Sequence, residues 1–229
     1  MAFISPQDYQ TLQELFAREL QHAVSIIYFT QHESVLTVPG QECAYCKDTR
    51  ALLEEVVTIS DKLHLTVKDF VRDEQEAQRL GIERIPACIL QGQARGTVRF
   101  FGVPAGYEFA TLVEDLIDVS KGTTDFSEKT RKAISEIDQN PHLQVFVTPT
   151  CPYCPRAARL AHKLAIENPH VTADVVEVSE FIDLAQRYYV QGVPKTVVND
   201  RTEFVGALPE PRFLQEVLKA LQPAQEQRH

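Results

Sequence analysis

The 229-residue chain lacks any stretch approaching 18 uninterrupted apolar residues, so no membrane-spanning helix is expected. Its opening residues, MAFISPQDYQ, lack the basic segment and apolar run of a secretory signal. A cationic excess is also missing. Lys+Arg total 23 against 32 Asp+Glu, and the net charge of −9 argues against nucleic acid and anionic membrane as partners. Low-complexity tracts are absent, and five cysteines are too few to staple a chain of this length. The seven histidines, at 22, 32, 64, 142, 162, 170 and 229, form no ligand cluster in the sequence. These absences lead us to expect a cytoplasmic globular protein with no resident metal. At 44% hydrophobic residues it can bury a real core, in one large domain or two small ones.

Against that background stand two cysteine pairs, 43-CAYC-46 and 151-CPYC-154. Such a pair can hold a metal, lock a structural disulfide or shuttle electrons. In a reducing compartment the catalytic and metal-binding readings outweigh the structural one. The pairs are offset by 108 residues, and the offset recurs downstream. Ala77-Gln78-Arg79 matches Ala185-Gln186-Arg187, Ile82 matches Val190, Ile85 matches Val193, and Pro86 matches Pro194. The chain therefore reads as a tandem duplication, too few copies for a solenoid.

Each copy has the same order of expected elements, αβαβαββα. In the first, Ser5-Pro6 opens a helix and AVSIIYFT is a short apolar strand. CAYC opens a second helix, LHLTVKDFV is a strand, and DEQEAQRL is a short helix closed by Gly81. IPACIL and TVRFF form a hairpin, and GYEFATLVEDLIDVS is the last helix. The second copy runs SEKTRKAISEID, LQVFVT, CPYCPRAARLAHKLAIEN, VTADVVEV, IDLAQRYY, then PKTVV and TEFVG around Asn199-Asp200, and PEPRFLQEVLKALQ. The polar, glycine-containing 121-KGTTDFS-127 is the expected boundary, giving units 1–120 and 121–229.

A strand, a CxxC at a helix start, a further helix and an X-Pro step into a hairpin together resemble the thioredoxin fold. The whole chain resembles the glutaredoxin-like protein disulfide oxidoreductase family of thermophilic archaea and bacteria. VFVTPTCPYCP at 145–155, AHKLAIEN at 161–168, FGVPAGYEF at 101–109 and the two Ile/Val-Pro steps carry the match. The resemblance implies an α/β fold of two tandem thioredoxin-like domains. Each would have a mixed central sheet flanked by helices, with its CxxC at a helix N-terminus. It implies a thiol–disulfide oxidoreductase that reduces, oxidises or isomerises protein disulfides with its own cysteines and no bound cofactor. It implies cis bonds at Ile85-Pro86 and Val193-Pro194, facing the cysteines and presenting backbone to a bound substrate. A thioredoxin-reductase-like flavoprotein as donor and a peroxiredoxin as acceptor are partners the family suggests.

The spacing suits that chemistry. With the first cysteine at a helix N-cap, two sulfurs three residues apart lie within disulfide reach. Unpaired N–H groups and the helix dipole favour the first thiolate. Cys43 and Cys151 would then attack, and Cys46 and Cys154 would resolve the mixed disulfide. A zinc site needs four converging ligands, and no Cys or His sits at finger-like spacing from either pair. A loop this short gains little stability from a structural disulfide.

The copies are not equal. Glu42 precedes Cys43, whereas Arg156 and Arg159 follow Cys154 and Pro152 preorganises the helix start. The second pair is therefore expected to be the stronger thiolate. The first copy carries an insertion before its pair, QHESVLTVPGQE, which either covers the site, shapes a partner surface or is an inert loop. Residues Leu143 to Val147 lack the buried acid that thioredoxins keep in this strand, leaving the proton acceptor open. The absence of tryptophan excludes a WCGPC-type site, and contacts for glutathione are not evident. Cys88, two residues after Pro86, reads as core. Tyr45 and Tyr153 either pack beside the sulfurs or line a substrate groove. Two rivals remain: an electron-relay module like that of the alkyl hydroperoxide reductase flavoprotein, whose first unit lacks its cysteines, and a peptide-binding chaperone without turnover.

Overall fold

The computed structural model describes residues 3–31 and 43–222. Its first half contains α1 (Pro6–Glu19), β1 (Val24–Thr30), α2 (Cys46–Val57), β2 (Leu63–Asp69), α3 (Glu74–Arg79), β3 (Ala87–Gln91), β4 (Thr97–Phe101) and α4 (Tyr107–Lys121). The second half repeats the order with α5 (Glu128–Ser135), β5 (His142–Val147), α6 (Cys154–Glu167), β6 (Thr172–Glu177), α7 (Ile182–Arg187), β7 (Lys195–Val198), β8 (Thr202–Val205) and α8 (Glu210–Leu221).

Local signals explain the boundaries. Ser5 and Ser127 cap α1 and α5, each accepting from the amide three residues on. Gly122, at φ 70°, closes α4 in the left-handed conformation. Asn199 and Asp200 turn the β7–β8 hairpin with φ values of 52° and 57°. The QHESVLTVPGQE insertion and Glu42 lie almost wholly outside the described residues.

Each half is a mixed sheet of the expected kind, but the two sheets are fused into one. The strand order is β2-β1-β3-β4-β6-β5-β7-β8. β4 pairs β6 in parallel, Thr97 opposite Thr172 through Phe101 opposite Val176. Polar chemistry pins this junction. Arg99 of β4 and Asp174 of β6 are register partners, and the guanidinium grips the carboxylate at 2.6 and 2.9 Å. Both are buried, a geometry in which a matched pair is tolerated and an unmatched one is costly.

One face of the sheet carries the larger core. Leu12 and Phe16 of α1, Leu53 and Val56 of α2, Leu112 and Leu116 of α4, Ala157 and Ala161 of α6, and Phe213 and Val217 of α8 all join it. Alanines at 157, 158, 161 and 165 let α6 sit deep between the sheet, α4 and α5. Among the described residues the opposite face carries the short α3 and α7, through Ala77 and Leu184.

Candidate active site on one edge of the sheet

β1, β4, β6 and β5 all point the same way, so the segments leaving β1 and β5 emerge at one edge of the sheet. Both cysteine pairs lie there, on the face covered by α2, α4 and α6. Four strand spacings separate β1 from β5, or roughly 19 Å.

Each pair is a disulfide: Cys43–Cys46 with Cα atoms 5.4 Å apart, and Cys151–Cys154 with Cα atoms 5.5 Å apart. Both helices open at the second cysteine, with Tyr45 and Tyr153 as their N-caps, rather than at the first. The cause is a tight turn ahead of the helix: the Cys46 and Cys154 amides donate at 3.4 Å to the carbonyls of Cys43 and Cys151. The first sulfurs still sit at the helix mouth. The second cysteines are the more shielded of each pair, Cys46 below Cys43 and Cys154 at 0% exposure against 9% for Cys151.

Both proline steps are cis: Ile85-Pro86 and Val193-Pro194. The Val193 carbonyl oxygen lies 3.9 Å from the Cys151 sulfur. Among the described residues Ile85 makes no matching contact with Cys43. Pro86 and Pro194 are held alike, their carbonyls accepting from Gly102 and Gly206 at 2.9 and 2.8 Å. Tyr45 and Tyr153 are exposed, standing over the helix mouths rather than packing into them.

Some sequence expectations change. Arg159 does not lie free beside the second pair. It is buried and committed to Glu114, Asp115 and Asp118 of α4. Arg156 stays exposed. Cys88 is core, its thiol pushed up to about 12 by burial. Among the described residues no group of three or more His, Cys, Asp or Glu is arranged to hold a metal ion. No described helix is long and apolar enough to cross a membrane.

Three residues at this end of the molecule escaped the sequence reading: Tyr28, whose hydroxyl meets the Cys46 carbonyl, Glu108 at the start of α4, and Glu180 after the end of β6. Tyr28, fully buried on β1, donates its hydroxyl to the Cys46 carbonyl at 2.7 Å. Tyr28 pairs with Cys88 and Val145 pairs with Thr196, so Val145 holds the matching place in the second half.

Glu108 lies in the first turn of α4. α4 and α6 both start at the active edge and run side by side, keyed by Asp115 to Arg159 and His162. Two turns back from Asp115 lies Glu108. Two turns back from Arg159 and His162 lie residues 152–155, so Glu108 is level with the second cysteine pair. The Tyr107 amide fixes this end of α4 by donating to the Pro149 carbonyl at 3.0 Å. Glu108 is buried, and neither carboxyl oxygen has a hydrogen-bond partner among the described residues. Burial pushes it up to about 7. Glu180 follows the end of β6, where burial likewise pushes its carboxyl up to about 7.

The family model described as "Thioredoxin domain" matches residues 34–114 and 141–219. The chain is similar to a protein disulfide oxidoreductase of Aeropyrum pernix, at 29% identity and a TM-score of 0.83, covering 94% of this chain and 93% of that one. It shares its fold with the alkylhydroperoxide reductase AhpF of Enterococcus faecalis, at 22% identity and a TM-score of 0.83, covering 94% and 99%. Curated relatives include a Bacillus subtilis protein named NADH dehydrogenase, 23% identical over 74% of this chain. Another is an alkyl hydroperoxide reductase component of Staphylococcus aureus, 23% identical over 67%. The chain spans only 31% and 28% of those two proteins' lengths. The match extends over both halves of the repeat, each with its own cysteine pair: the chain belongs to the thioredoxin domain family.

Proposed function

We propose that the protein is a thiol–disulfide oxidoreductase that exchanges electron pairs between its two CxxC centres and disulfides of protein substrates. One observation carries this reading. Each half places a disulfide at a helix mouth on a shared edge, with a cis-proline step in the matching position of both repeats.

In the reducing direction the Cys151 thiolate attacks a substrate disulfide, forming a mixed disulfide and releasing one substrate thiolate. Cys154 gives up its proton, and its thiolate attacks the Cys151 sulfur. The enzyme disulfide re-forms and the second substrate sulfur leaves with the electron pair. Glu108 is the group we assign to take the Cys154 proton, since it is level with the pair and protonates near neutrality. Cys43 and Cys46 play the same parts at the first centre. Val193-Pro194 and Ile85-Pro86 present backbone to the substrate, with Tyr153 and Tyr45 at its flanks. Because the cysteines themselves carry the electrons, the reaction calls for no further bound cofactor. Units 1–120 and 121–229 each supply one centre.

The similarity to the alkyl hydroperoxide reductase proteins favours a second reading, a relay from a flavoprotein to a peroxiredoxin. Two intact cysteine pairs favour the broader oxidoreductase role. Insulin reduction under dithiothreitol, compared with peroxiredoxin reduction by a flavoprotein donor, separates the two. Turnover of insulin supports the first, and turnover confined to peroxiredoxin supports the relay.

A further inference from the structure

β6 ends at Glu177, and the chain then folds into a tight turn. The Glu177 carboxylate takes the Ser179 amide at 3.1 Å, the Ser179 hydroxyl at 2.6 Å and the Glu180 amide at 2.8 Å. The same device occurs 108 residues earlier, where Asp69 takes the Val71 and Arg72 amides. The repeat therefore puts Arg72 where the second half has Glu180.

The turn aims Glu180 out of its own half. One carboxyl oxygen accepts from the Val103 amide at 2.7 Å, beyond the end of β4. A Cβ on Gly102, at φ +96°, would stand 2.9 Å from that oxygen, so the glycine makes the approach possible. The Gly102 amide in turn holds the carbonyl of Pro86, the cis-proline of the first centre. The second Glu180 oxygen is buried with no hydrogen-bond partner among the described residues. Its field reaches Tyr28, whose hydroxyl binds the Cys46 carbonyl.

We propose that Glu180, a residue of the second half, is the proton acceptor for the first cysteine pair. The assignment rests on the reading of that pair as redox-active. During resolution the Cys46 thiol gives its proton to Glu180, and the thiolate attacks Cys43. The Cys46–Cys43 bond forms, the bond from Cys43 to the substrate breaks, and the departing substrate sulfur keeps the electron pair and takes up the proton. The two halves would then serve one another, Glu108 of the first at the second pair and Glu180 of the second at the first. The β4–β6 junction makes this possible: β6 has β4 of the first half beside it, whereas β2, the strand before Arg72, has no strand beyond it among the described residues.

The groups around Glu180 set its titration. Burial pushes it up to about 7, the Val103 N–H pulls it down, and Glu177 pushes it further up. The segment after β4 contributes the Val103 amide; on β1 the Tyr28 hydroxyl is held up by burial, with Cys88 of β3 and Glu180 itself adding to the rise. A carboxyl of this kind accepts protons above neutrality and not below it.

The test uses the full chain with Cys151→Ser and Cys154→Ser, with and without Glu180→Gln, which preserves an acceptor for Val103. Reduced protein is mixed with 5,5′-dithiobis(2-nitrobenzoate). The first thionitrobenzoate is released by attack from Cys43, and the second, concentration-independent release reports resolution by Cys46. We expect the second phase to accelerate as pH rises through neutrality, and to slow about tenfold or more in Glu180→Gln while the first phase changes little. An unchanged second phase overturns the proposal. So does equal slowing of the second pair when Glu180→Gln is placed in a Cys43→Ser, Cys46→Ser chain, which would mark general damage. Absence of both phases with Glu180 intact would instead defeat the redox reading of the first pair.

Discussion

The backbone N–H of Tyr107 donates to the carbonyl oxygen of Pro149 at 3.0 Å, joining the first turn of α4 to the segment that precedes Cys151. Gly106 makes this contact possible. It sits at φ +61°, and a Cβ there would fall 2.3 Å from the Pro149 oxygen. Gly106→Ala is therefore expected to cost about 2 kcal/mol or more, combining left-handed strain with a forced separation of α4 from the second centre. Chemical denaturation measures the loss. Slower reaction of Cys151 with a small disulfide, with the first pair less affected, shows that the damage is centred on this contact.

Glu108 couples stability to function with opposite signs. Burial raises it from 4.5 to about 7, so the folded state holds this proton more tightly than the unfolded chain does. The stability that follows is complete below pH 4.5 and lost as pH rises through about 7. Glu108→Gln should thus leave stability unchanged in acid and raise it by about 1–3 kcal/mol above neutrality. The same substitution should slow resolution by Cys154 about tenfold or more. Unfolding curves at acid and alkaline pH, with the biphasic thionitrobenzoate release, test both halves. A variant that is stabilised but keeps wild-type resolution would remove Glu108 from the mechanism.

The Arg99–Asp174 pair holds the two sheets together across their junction. His142 and Arg99 keep the Asp174 carboxyl below its usual range despite burial, so its contribution is present at neutral pH and lost only in strong acid. Asp174→Asn strips the charge that balances a buried guanidinium and should cost about 3–5 kcal/mol. Differential scanning calorimetry reads the change. A loss below about 1 kcal/mol, as for an exposed pair, would show that the junction does not depend on this contact.

Much of this architecture is legible in the sequence because it is local or repeated. The strands after Ala23 and before Pro149 follow from apolar runs, the caps at Ser5 and Ser127 from their types, and the two centres from a shared offset. What stays hidden depends on contacts distant in sequence. Nothing periodic in TVRFF or VTADVVEV announces that β4 and β6 will pair, since Arg99 and Asp174 match only once they are opposed. Arg159 reads as a charge near the second thiolate, yet α4 supplies three carboxylates that hold it away. Glu108 looks like a favourable first-turn acid on α4. Its spacing with Leu112 and Asp115 places it on the buried stripe, a signal that is present but carries less weight than its charge. Both CxxC helices start three residues later than the motif suggests, because the turn from Cys43 to Cys46 is closed by backbone hydrogen bonds that composition does not reveal.

Insulin reduction driven by dithiothreitol tests the central claim most directly, using the wild-type chain, Cys43→Ser, Cys151→Ser and the double variant. Two exchanging centres predict turnover in the wild type, a partial loss in each single variant with the larger loss at Cys151, and none in the double variant. Wild-type activity no greater than that of the double variant would contradict the account.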